Sequence, residues 1–297
     1  MADPLMAWVD DGLVAATEAS VSVYDRGFRG GEGVFETLRA YGNHPFRLTA
    51  HARRAVTGAA DLGFVLREAV LTDAIRATVT ANLDTLAGAD SVVRLTASAG
   101  PIDPESPFPG TPVGEPTVVV TSQRLAVDTR IQTDGVSAAT VPLARELPHV
   151  KTVSYLVALT ARRRAREQGA DEALFTTADG RVLEAAAANV FAVVGGRVVT
   201  PPLAQALLAG VTRGVVLELA RAQGLPIDER PLELAELAGC DEAFLTATTR
   251  EVMPLVEVDR APVGDGRPGP VTRSLQAAYR DEVARERAQQ QDGLTAG

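Results

Sequence analysis

Alternation of apolar and polar residues predicts strands in the first part of the chain. Residues 19–27 (ASVSVYDRG) and 33–41 (GVFETLRAY) alternate as half-buried strands do, and residues 42–43 (GN) predict a hairpin turn after the second segment. Apolar residues recur at helical spacing over 47–64 and again over 67–88, where the second segment ends at a glycine. The N-terminal region is therefore predicted to mix strands with helices.

The pattern then changes to that of a strand, a long loop and a second strand. Residues 90–100 (DSVVRLTASAG) predict a strand. Residues 101–116 are so rich in proline and glycine that they predict a loop, which could cover a site or separate two domains. Residues 117–125 (TVVVTSQRL) predict a buried strand.

The second half again combines helices with short strands. One helix is predicted over 153–168, and another begins near Thr212, at its cap or first turn, and continues to residue 224. The predicted short strands are 171–177, 189–194 and 197–202. Residues 241–247 (DEAFLTA) repeat the pattern of 171–177 (DEALFTT), which predicts two similar strands in one sheet.

This order of elements predicts an α+β fold with two domains, each combining helices with a sheet. We expect the linker between them at 122–130, which leaves a small N-terminal domain at 1–121 and a larger C-terminal domain at 131–297. The last residues are highly charged and then polar, so we expect the C-terminus to be frayed.

Composition narrows the class of function. The chain has 38 acidic and 29 basic residues, and a net charge of −9 argues against binding to nucleic-acid phosphates as the main activity. The single cysteine, Cys240, allows no internal disulfide. The N-terminus lacks the basic and apolar regions of a secretory signal, and no apolar run is long enough to span a membrane. These features predict a soluble cytoplasmic protein.

One basic residue differs in kind from all the others. Lys151, in ELPHVKTVSYL, is the only lysine, so the other 28 of the 29 basic residues are arginines. Both residue types serve as surface charges, but only lysine can lose its proton near neutral pH and attack a carbonyl carbon. Lys151 is therefore a candidate for imine chemistry, although an arginine-rich composition could also leave one lysine by chance.

Other catalytic chemistries find little support in the sequence. Three histidines and one cysteine form no cluster with zinc-ligand spacing, so no metal site is predicted, and no Gly-x-Ser-x-Gly nucleophile motif occurs. The glycine-rich segment 27–33 (GFRGGEG) matches neither a dinucleotide-binding motif nor a phosphate loop. Tight turns before a strand explain these glycines better.

Several residues instead suit a phosphorylated aldehyde cofactor, pyridoxal phosphate. Such a cofactor needs an amine for its aldehyde, an acid beside its ring nitrogen and a site for its phosphate. Glu184 precedes a run of small or amide residues, 185–189 (AAAAN), which would let the backbone approach a flat ring closely. A surface glutamate before a strand is the alternative explanation for Glu184.

Phosphate binding has candidates in three places. Backbone N–H groups at the start of a helix, together with hydroxyl groups, form phosphate sites. Val211 and Thr212 lie at such a start, and residues 246–249 (TATT) supply hydroxyls after a predicted strand. Arg54, on the predicted helix 47–64, could add a bidentate contact. Taken singly, each is also explained by an ordinary cap, turn or exposed arginine.

These features occur together in one protein family. Seven segments follow in the family's order and spacing from about residue 20 to residue 275: YDRGFRGGEGVFETLRAY, HARRA, KTVSYL, GADEALF, EAAAANVFAV, TPPLAQALLAGVTR and FLTATTREVMPL. In these segments the chain resembles the class IV aminotransferases, the fold-type IV pyridoxal phosphate enzymes. The family includes D-amino-acid and branched-chain aminotransferases, some (R)-amine transaminases and 4-amino-4-deoxychorismate lyase. The resemblance implies a fold like that of D-amino-acid aminotransferase and the cofactor pyridoxal 5′-phosphate.

The resemblance also implies the cofactor site. Lys151 matches the family's Schiff-base lysine, and Glu184 matches the carboxylate that keeps the pyridine nitrogen protonated. The further residues that match cofactor contacts are Arg54, Tyr155, Asn189, Val211, Thr212 and Thr248. Many members carry serine or threonine after the glutamate, whereas this chain has four alanines, so no hydroxyl contacts are expected from 185–188.

A substrate pocket is expected on one face of a strand. Alternation places Phe35, Thr37 and Arg39 on the same face, and the resemblance implies that this face lines the active site. Arg39 or Arg94 could bind a substrate carboxylate, and either could instead form a structural ion pair. Thr249 matches the position where family members bind the α-carboxylate through backbone N–H groups.

The activity implied is transamination between an amino acid, or a primary amine, and a 2-keto acid. The alternative is 4-amino-4-deoxychorismate lyase, which releases pyruvate and 4-aminobenzoate; the alanine run and Thr37 lean slightly towards it. A non-enzymatic cofactor-binding protein is a third hypothesis, disfavoured because both Lys151 and Glu184 are present. The resemblance further implies a homodimer with active sites near the subunit interface. The sequence does not fix the preference among D-amino acids, L-amino acids and (R)-amines.

Overall fold

The chain folds into two units, which the computed structural model describes over residues 4–107, 111–205 and 207–295. Unit 1 consists of Met1–Ala126 and Val150–Ser154, and unit 2 of Val127–His149 and Tyr155–Gly297. The change of unit after Ala126 falls within the segment expected to be the linker. The expected continuous C-terminal domain is wrong in one respect, because the short segment that contains Lys151 belongs to unit 1.

Unit 1 is built on an antiparallel sheet. Its strands are β1 Met6–Val9, β2 Gly12–Ala15, β3 Gly33–Tyr41, β4 His44–Pro45, β5 Ser91–Ser98 and β6 Val118–Arg124. Its helices are α1 Arg26–Gly30, α2 Leu48–Asp61 and α3 Glu68–Asn82. The strand order is β2-β1-β6-β5-β3-β4, and every pairing is antiparallel. The two-residue turn predicted at 42–43 joins β3 to β4.

The core of unit 1 lies between this sheet and two helices. The buried residues of α2 and α3 recur three and four positions apart, so each helix buries one face. Val34, Leu38 and Ala40 of β3 belong to this core, together with residues from α2 and α3. Because side chains alternate along a strand, Phe35 and Thr37 lie on the opposite face of the sheet. The face assignment made from the sequence is therefore confirmed for this strand.

One N-terminal prediction is wrong, and one N-terminal feature was not predicted. Residues 19–27 form no strand, because Asp25 caps α1: its carboxylate accepts hydrogen bonds from the N–H groups of Gly27 and Phe28. The hairpin of β1 and β2 was not predicted, because four-residue strands carry too little alternation to be recognised. Asp10, in the turn of that hairpin, accepts a hydrogen bond from Val118 N at 2.9 Å.

The proline-rich loop after β5 folds back on itself. Ile102 pairs with Pro112, and Asp103 N donates to Thr111 O at 2.9 Å. Gly100 begins this loop with a φ of 81°, and an added Cβ there would clash with Glu115 O. Glycine is required at that position on both counts.

A short backbone segment adds itself to the edge of β3. Phe35 N donates to Lys151 O at 2.9 Å, and Val153 N donates to Gly33 O at 2.9 Å. Val34 and Thr152 form the antiparallel bridge between these two bonds. The edge is open here because β4 pairs only with the far end of β3, at Ala40 and Tyr41. The pairing therefore explains why the lysine segment joins unit 1.

Unit 2 is built on a larger mixed sheet. Its strands are β7 Val136–Val141, β8 Glu172–Thr176, β9 Arg181–Ala185, β10 Asn189–Val194, β11 Arg197–Thr200, β12 Ile227–Glu229, β13 Leu232–Glu233, β14 Glu242–Ala247, β15 Glu251–Val258 and β16 Ala261–Pro262. Its helices are α4 Arg130–Thr133, α5 Leu156–Glu167, α6 Val211–Ala222, α7 Leu234–Ala238 and α8 Pro270–Thr295. The strand order is β12-β11-β10-β14-β15-β7-β8-β9-β13, with β16 on β15. The similar segments β8 and β14 share this sheet, as predicted.

The C-terminal helix was not anticipated. The charged tail forms α8, which continues to Thr295, and the last two residues, at the end that was expected to be frayed, lie outside the described residues. A residue of strand β14 caps the start of α8. The Glu242 carboxylate accepts hydrogen bonds from Val271 N at 2.9 Å and from Thr272 N and Oγ1, both at 2.8 Å. Gly269 lies against the same carboxyl group, where a Cβ would clash. A glutamate distant in sequence thus supplies the cap, so no local capping signal precedes the helix.

We expect Glu242→Ala to lower the free energy of unfolding by about 2 kcal/mol, since it leaves helix N–H groups without their acceptor. Urea denaturation monitored by circular dichroism measures the change. The control is Glu167→Ala, which removes an exposed carboxylate 4.0 Å from Arg163 and should change stability by less than about 0.5 kcal/mol. Equal losses in the two variants would show that the cap does not stabilise α8.

Candidate active site

Lys151 lies in a cluster of unit 1 side chains on the face of the sheet opposite the helices. Its Nζ is 4.4 Å from the centre of the Phe35 ring, and the guanidinium carbon of Arg94 is 3.4 Å from the same centre. Arg94 Nη1 also donates to Thr37 Oγ1 at 3.4 Å. We call Lys151, Phe35, Thr37 and Arg94 the lysine cluster. It combines a primary amine, a guanidinium group and an aromatic ring.

Strand register brings these residues together. Thr37 of β3 lies directly opposite Arg94 of β5, and directly opposite residues share a face of the sheet. The edge pairing of Lys151 with Phe35 adds the amine to that face. The sequence predicted that Phe35 and Thr37 share a face, but it carried no signal for the edge pairing.

The two candidate arginines have different surroundings. The Arg39 Nε and Nη2 atoms donate to Asp90 Oδ2 at 3.1 and 2.7 Å, and its guanidinium carbon lies 4.4 Å from the centre of the Tyr41 ring. Arg39 thus forms the structural ion pair that the sequence left open. We assign it to this role, and we keep Arg94 as the candidate for a substrate carboxylate.

Arg54 is held by the buried pair of Glu36 and His51, which was not predicted from the sequence. Its Nε and Nη2 atoms donate to the two oxygens of Glu36 at 2.7 and 2.6 Å, and His51 Nδ1 is 2.7 Å from Glu36 Oε2. Glu36 and His51 are both fully buried. The sequence did carry a signal for this pair. Glu36 shares the core-facing side of β3 with Val34 and Leu38, and a carboxylate buried there requires a partner.

The surroundings of Glu36 and His51 lower the pKa of both residues. Burial by itself would raise the pKa of Glu36, but the Arg54 guanidinium and the His51 ring hold that pKa far below its ordinary value. Burial lowers the pKa of His51, and the positive charges of Arg54 and Lys151 act in the same direction. The hydrogen bond that Glu36 accepts and its negative charge oppose this shift in the pKa. His51 is therefore neutral near pH 7, and its Nδ1–H donates to the ionised Glu36.

Glu184 is the centre of a second cluster, in unit 2. Arg145 Nη2 donates to Glu184 Oε1, while Asn189 Nδ2 and Leu208 N both donate to Oε2 at 3.2 Å. Glu184 and Asn189 are both buried. An ionised carboxylate accepts about four hydrogen bonds, so three donors leave room for one more, such as a protonated ring nitrogen. No motif in the sequence marked Arg145 as a partner of Glu184.

The alanine run beside Glu184 forms a tight turn. Ala185 N donates to Ala188 O at 2.7 Å, which closes the turn between β9 and β10. Tyr155 lies next to this turn, and its hydroxyl donates to Ala186 O at 3.5 Å. The turn brings backbone and methyl groups, without hydroxyls, beside the Glu184 carboxylate.

The start of α6 offers N–H groups to an anion. Its cap residue is Gly210, which has no side chain to accept from them, and Val211 and Thr212 follow in the first turn. A Cβ on Gly210 would clash with the Asn189 side chain, so only glycine fits there. The positive end of a twelve-residue helix therefore lies beside the Glu184 cluster.

The end of β14 lies beside the same asparagine. Thr246 is directly opposite Asn189 in the sheet, and its buried Oγ1 has no hydrogen-bond partner in the part of the chain that the structure describes. Thr248 and Thr249 follow in the turn to β15. An unsatisfied buried hydroxyl, an uncapped helix start and a carboxylate with room for another donor fit a ligand that carries a phosphate and a protonated ring nitrogen.

Two other features are absent from the described ranges. Nowhere in them do three histidine, cysteine, aspartate or glutamate side chains group closely enough to hold a metal ion. Their helices include none that combines the length and apolar character needed to cross a membrane.

Comparison with known proteins decides the family. The family model of amino-transferase class IV matches residues 33–258. The chain belongs to this family. The D-alanine aminotransferase of Bacillus licheniformis is 31% identical over 93% of this chain and 96% of its own length. The crystal structure of a branched-chain aminotransferase from Thermoproteus uzoniensis with norvaline has a TM-score of 0.84 and 30% identity, with 94% of each chain covered.

Membership establishes the fold, the enzyme class and the cofactor. The branched-chain amino acid aminotransferase of Thermobaculum terrenum, 27% identical with a TM-score of 0.83 and 95% of each chain covered, was solved in its PLP-form. This aminotransferase accordingly uses pyridoxal 5′-phosphate and acts on small amino and keto acids. These relatives are named as aminotransferases, so transamination is favoured over the lyase to which the alanine run and Thr37 had leaned.

The lowered pKa of His51 predicts how stability depends on pH. Below the ordinary histidine pKa of 6.5, the unfolded chain binds a proton that the folded chain does not. As the pH is lowered below 6.5, the contribution of His51 to the free energy of unfolding therefore decreases by about 1.4 kcal/mol per pH unit. The decrease ends when the pH reaches the lower pKa of the folded state. We expect His51→Asn to remove this component between pH 6.5 and 5.5. Urea denaturation at those two pH values measures it.

The control for this prediction is Arg53→Gln, on the exposed side of the same helix. Arg53 pairs with Glu68 at 3.1 Å, and its loss should leave the pH dependence of the wild type unchanged. If His51→Asn keeps the wild-type slope as well, His51 is not the group whose pKa differs between the folded and unfolded states.

Proposed function

We propose that this aminotransferase moves an amino group between an amino acid and a 2-keto acid, with Lys151 as its catalytic residue. One observation carries the proposal. The Lys151 amine is 4.4 Å from the centre of the Phe35 ring, and the Arg94 guanidinium lies over the same ring. An amine and a carboxylate-binding group on one aromatic wall suit a substrate that carries both an amino group and a carboxylate.

Lys151 is proposed to bind the cofactor covalently and to act as the general base. The cofactor supplies a reactive aldehyde and a ring that accepts electrons from the substrate carbon. With its amine free, Lys151 would take the proton from the substrate α-carbon and hold it for return to the carbon that bore the cofactor aldehyde. Arginine cannot replace it, because a guanidinium stays protonated.

Glu184 is proposed to bind the ring nitrogen. Its negative charge, buried beside Asn189 and Leu208, favours the protonated form of that nitrogen. Arg145 compensates the charge of the carboxylate and helps to fix its orientation. Tyr155 is proposed to lie near the phenolic oxygen of the ring, because it borders the alanine turn next to Glu184.

The phosphate is proposed to bind to residues from several elements. Val211 and Thr212 would donate N–H groups at the start of α6, and Thr248 would donate from the turn after β14. Arg54 would add a guanidinium whose plane is fixed by its two hydrogen bonds to Glu36. The family resemblance is the reason for assigning all of these groups to one phosphate.

The substrate is proposed to be recognised chiefly through its carboxylate. Arg94 would bind it, Phe35 and Thr37 would form the wall beside it, and Thr249 would contribute backbone N–H groups. The relatives are named for D-alanine and branched-chain amino acids, so the donor is proposed to come from one of these two classes. A screen of D-alanine, L-leucine, L-valine and (R)-1-phenylethylamine, each with 2-oxoglutarate and with pyruvate, decides between them.

We also propose a homodimer that works in the cytoplasm. The family resemblance supports the dimer, as do the large apolar side chains of Val23 and Phe28, which unit 1 leaves 67% and 75% exposed. Light scattering on the purified protein tests it. The cytoplasmic location is supported by Cys240, the single cysteine, which is buried and free. Proteins of the reducing cytoplasm rarely contain disulfides.

We expect Lys151→Arg to fold normally and to lose at least about a thousandfold in kcat, since no general base remains. Thermal unfolding and single-turnover kinetics measure the two properties. The control, Arg163→Lys, exchanges the same two residue types at a side chain that is 73% exposed and should keep full activity. Turnover near the wild-type rate in Lys151→Arg would remove Lys151 from the mechanism.

We expect Arg94→Met to raise KM for the amino acid by about ten- to a hundredfold with a smaller effect on kcat, because a charged hydrogen bond to the carboxylate is lost. Amines without a carboxylate should be poor substrates for the wild type. Steady-state kinetics on both substrate classes checks this. Equal use of (R)-1-phenylethylamine and amino acids by the wild type would contradict carboxylate recognition.

A further inference from the structure

The turn between β14 and β15 presents two of the proposed contact residues. Thr248, Thr249 and Arg250 form its three-residue loop, between the paired residues Ala247 and Glu251. Arg250 N donates to Ala247 O at 3.2 Å, and Glu251 has a φ of 59°. A turn followed by a left-handed residue is a common hairpin connection, but glycine is the residue that usually occupies the left-handed position.

Glutamate in that position makes the turn dependent on other contacts. A side chain disfavours the left-handed conformation, so contacts with the rest of the fold are needed to hold it. Two such contacts meet at Arg250. Its carbonyl accepts a hydrogen bond from Gln132 Nε2 at 3.2 Å, and its Nη2 donates to Glu172 Oε2 at 2.7 Å.

Glu172 is a rigid anchor for this arginine. It begins β8, two strands away from β15 in the sheet, and its side chain is fully buried. Its other oxygen accepts a hydrogen bond from Ala173 N at 3.1 Å. A buried carboxylate needs a compensating cation, so the pair with Arg250 is strongly favoured over an open arrangement.

A second arginine approaches the same carboxylate. Arg162 of α5 has its Nε 3.7 Å from Glu172 Oε1, longer than a hydrogen bond. Glu172 would therefore keep a neighbouring cation if Arg250 were replaced. Loss of the Arg250 side chain should for this reason leave the fold intact while releasing the turn.

We propose that Arg250 is a positioning residue, anchored by Glu172, that fixes the turn so that Thr248 and Thr249 face the cofactor phosphate and the substrate carboxylate. The inference rests on the proposed function. Arg250 acts through the turn and needs no contact of its own with the cofactor. Its side chain points to an internal acceptor, so it also keeps its positive charge away from the ligand side of the turn.

The test compares affinity for pyridoxal 5′-phosphate with affinity for pyridoxal, which lacks the phosphate. Both dissociation constants are measured by absorbance titration of the full-length protein after removal of its cofactor. We expect Arg250→Ala to weaken binding of pyridoxal 5′-phosphate about tenfold and to change binding of pyridoxal less than about twofold. A merely structural role would lower the thermal unfolding midpoint and leave the ratio of the two constants unchanged.

Two further variants complete the design. Arg197→Ala removes an exposed arginine 3.3 Å from Asp228 and should keep the wild-type ratio. Glu172→Gln keeps the shape of the acceptor but removes its charge. It should therefore shift the ratio of the two dissociation constants in the same direction as Arg250→Ala, by a smaller factor. This variant provides the test if Arg250→Ala fails to fold.

The outcomes separate this inference from the proposed function. A wild-type ratio in the folded Arg250→Ala and Glu172→Gln variants would overturn the positioning role and leave the function untouched. A wild-type protein that binds neither compound would overturn the proposed function itself, and the positioning role with it.

Discussion

Two backbone hydrogen bonds along the open edge of β3 decide where the only side-chain amine of this protein lies. They join Gly33 to Val153 and Phe35 to Lys151, so main-chain pairing fixes the backbone position of the lysine. Gly33 makes the pairing possible, because an added Cβ would come within 2.7 Å of Ala97 O and 3.3 Å of a methyl group of Val153. The lysine side chain therefore projects from a backbone that is held by the sheet.

Both units contain ion pairs between a buried carboxylate and an arginine. Glu36 holds Arg54, Glu184 is held by Arg145, and Glu172 holds Arg250. In each pair the carboxylate is buried and the arginine is more exposed, so the burial of one ion fixes the direction of the other. Planar guanidinium groups suit this arrangement because they keep their charge and their geometry. Such use of arginine is consistent with a chain in which lysine remains only at the position where an amine is needed.

The sequence predicted most of what local patterns encode. The helices α2, α5 and α6, the turn between β3 and β4, and the common sheet of β8 and β14 all followed from periodicity and turn residues. Features that depend on distant partners did not follow. The cap of α8 comes from Glu242, and the edge pairing of Lys151 joins residues more than a hundred positions apart. The site residues named from the sequence were those whose chemistry is visible in isolation, whereas Glu36, His51, Arg145 and Arg250 matter through their neighbours.

The solitary, half-buried lysine has a practical consequence for chemical biology. Reagents that acylate or reductively alkylate amines have one side-chain target in the whole protein besides the α-amino terminus. The extent of labelling on the peptide that contains Lys151 would thus report directly on how many molecules carry an occupied amine. A mass spectrometer could read that occupancy in a mixture, without a substrate and without a coloured product.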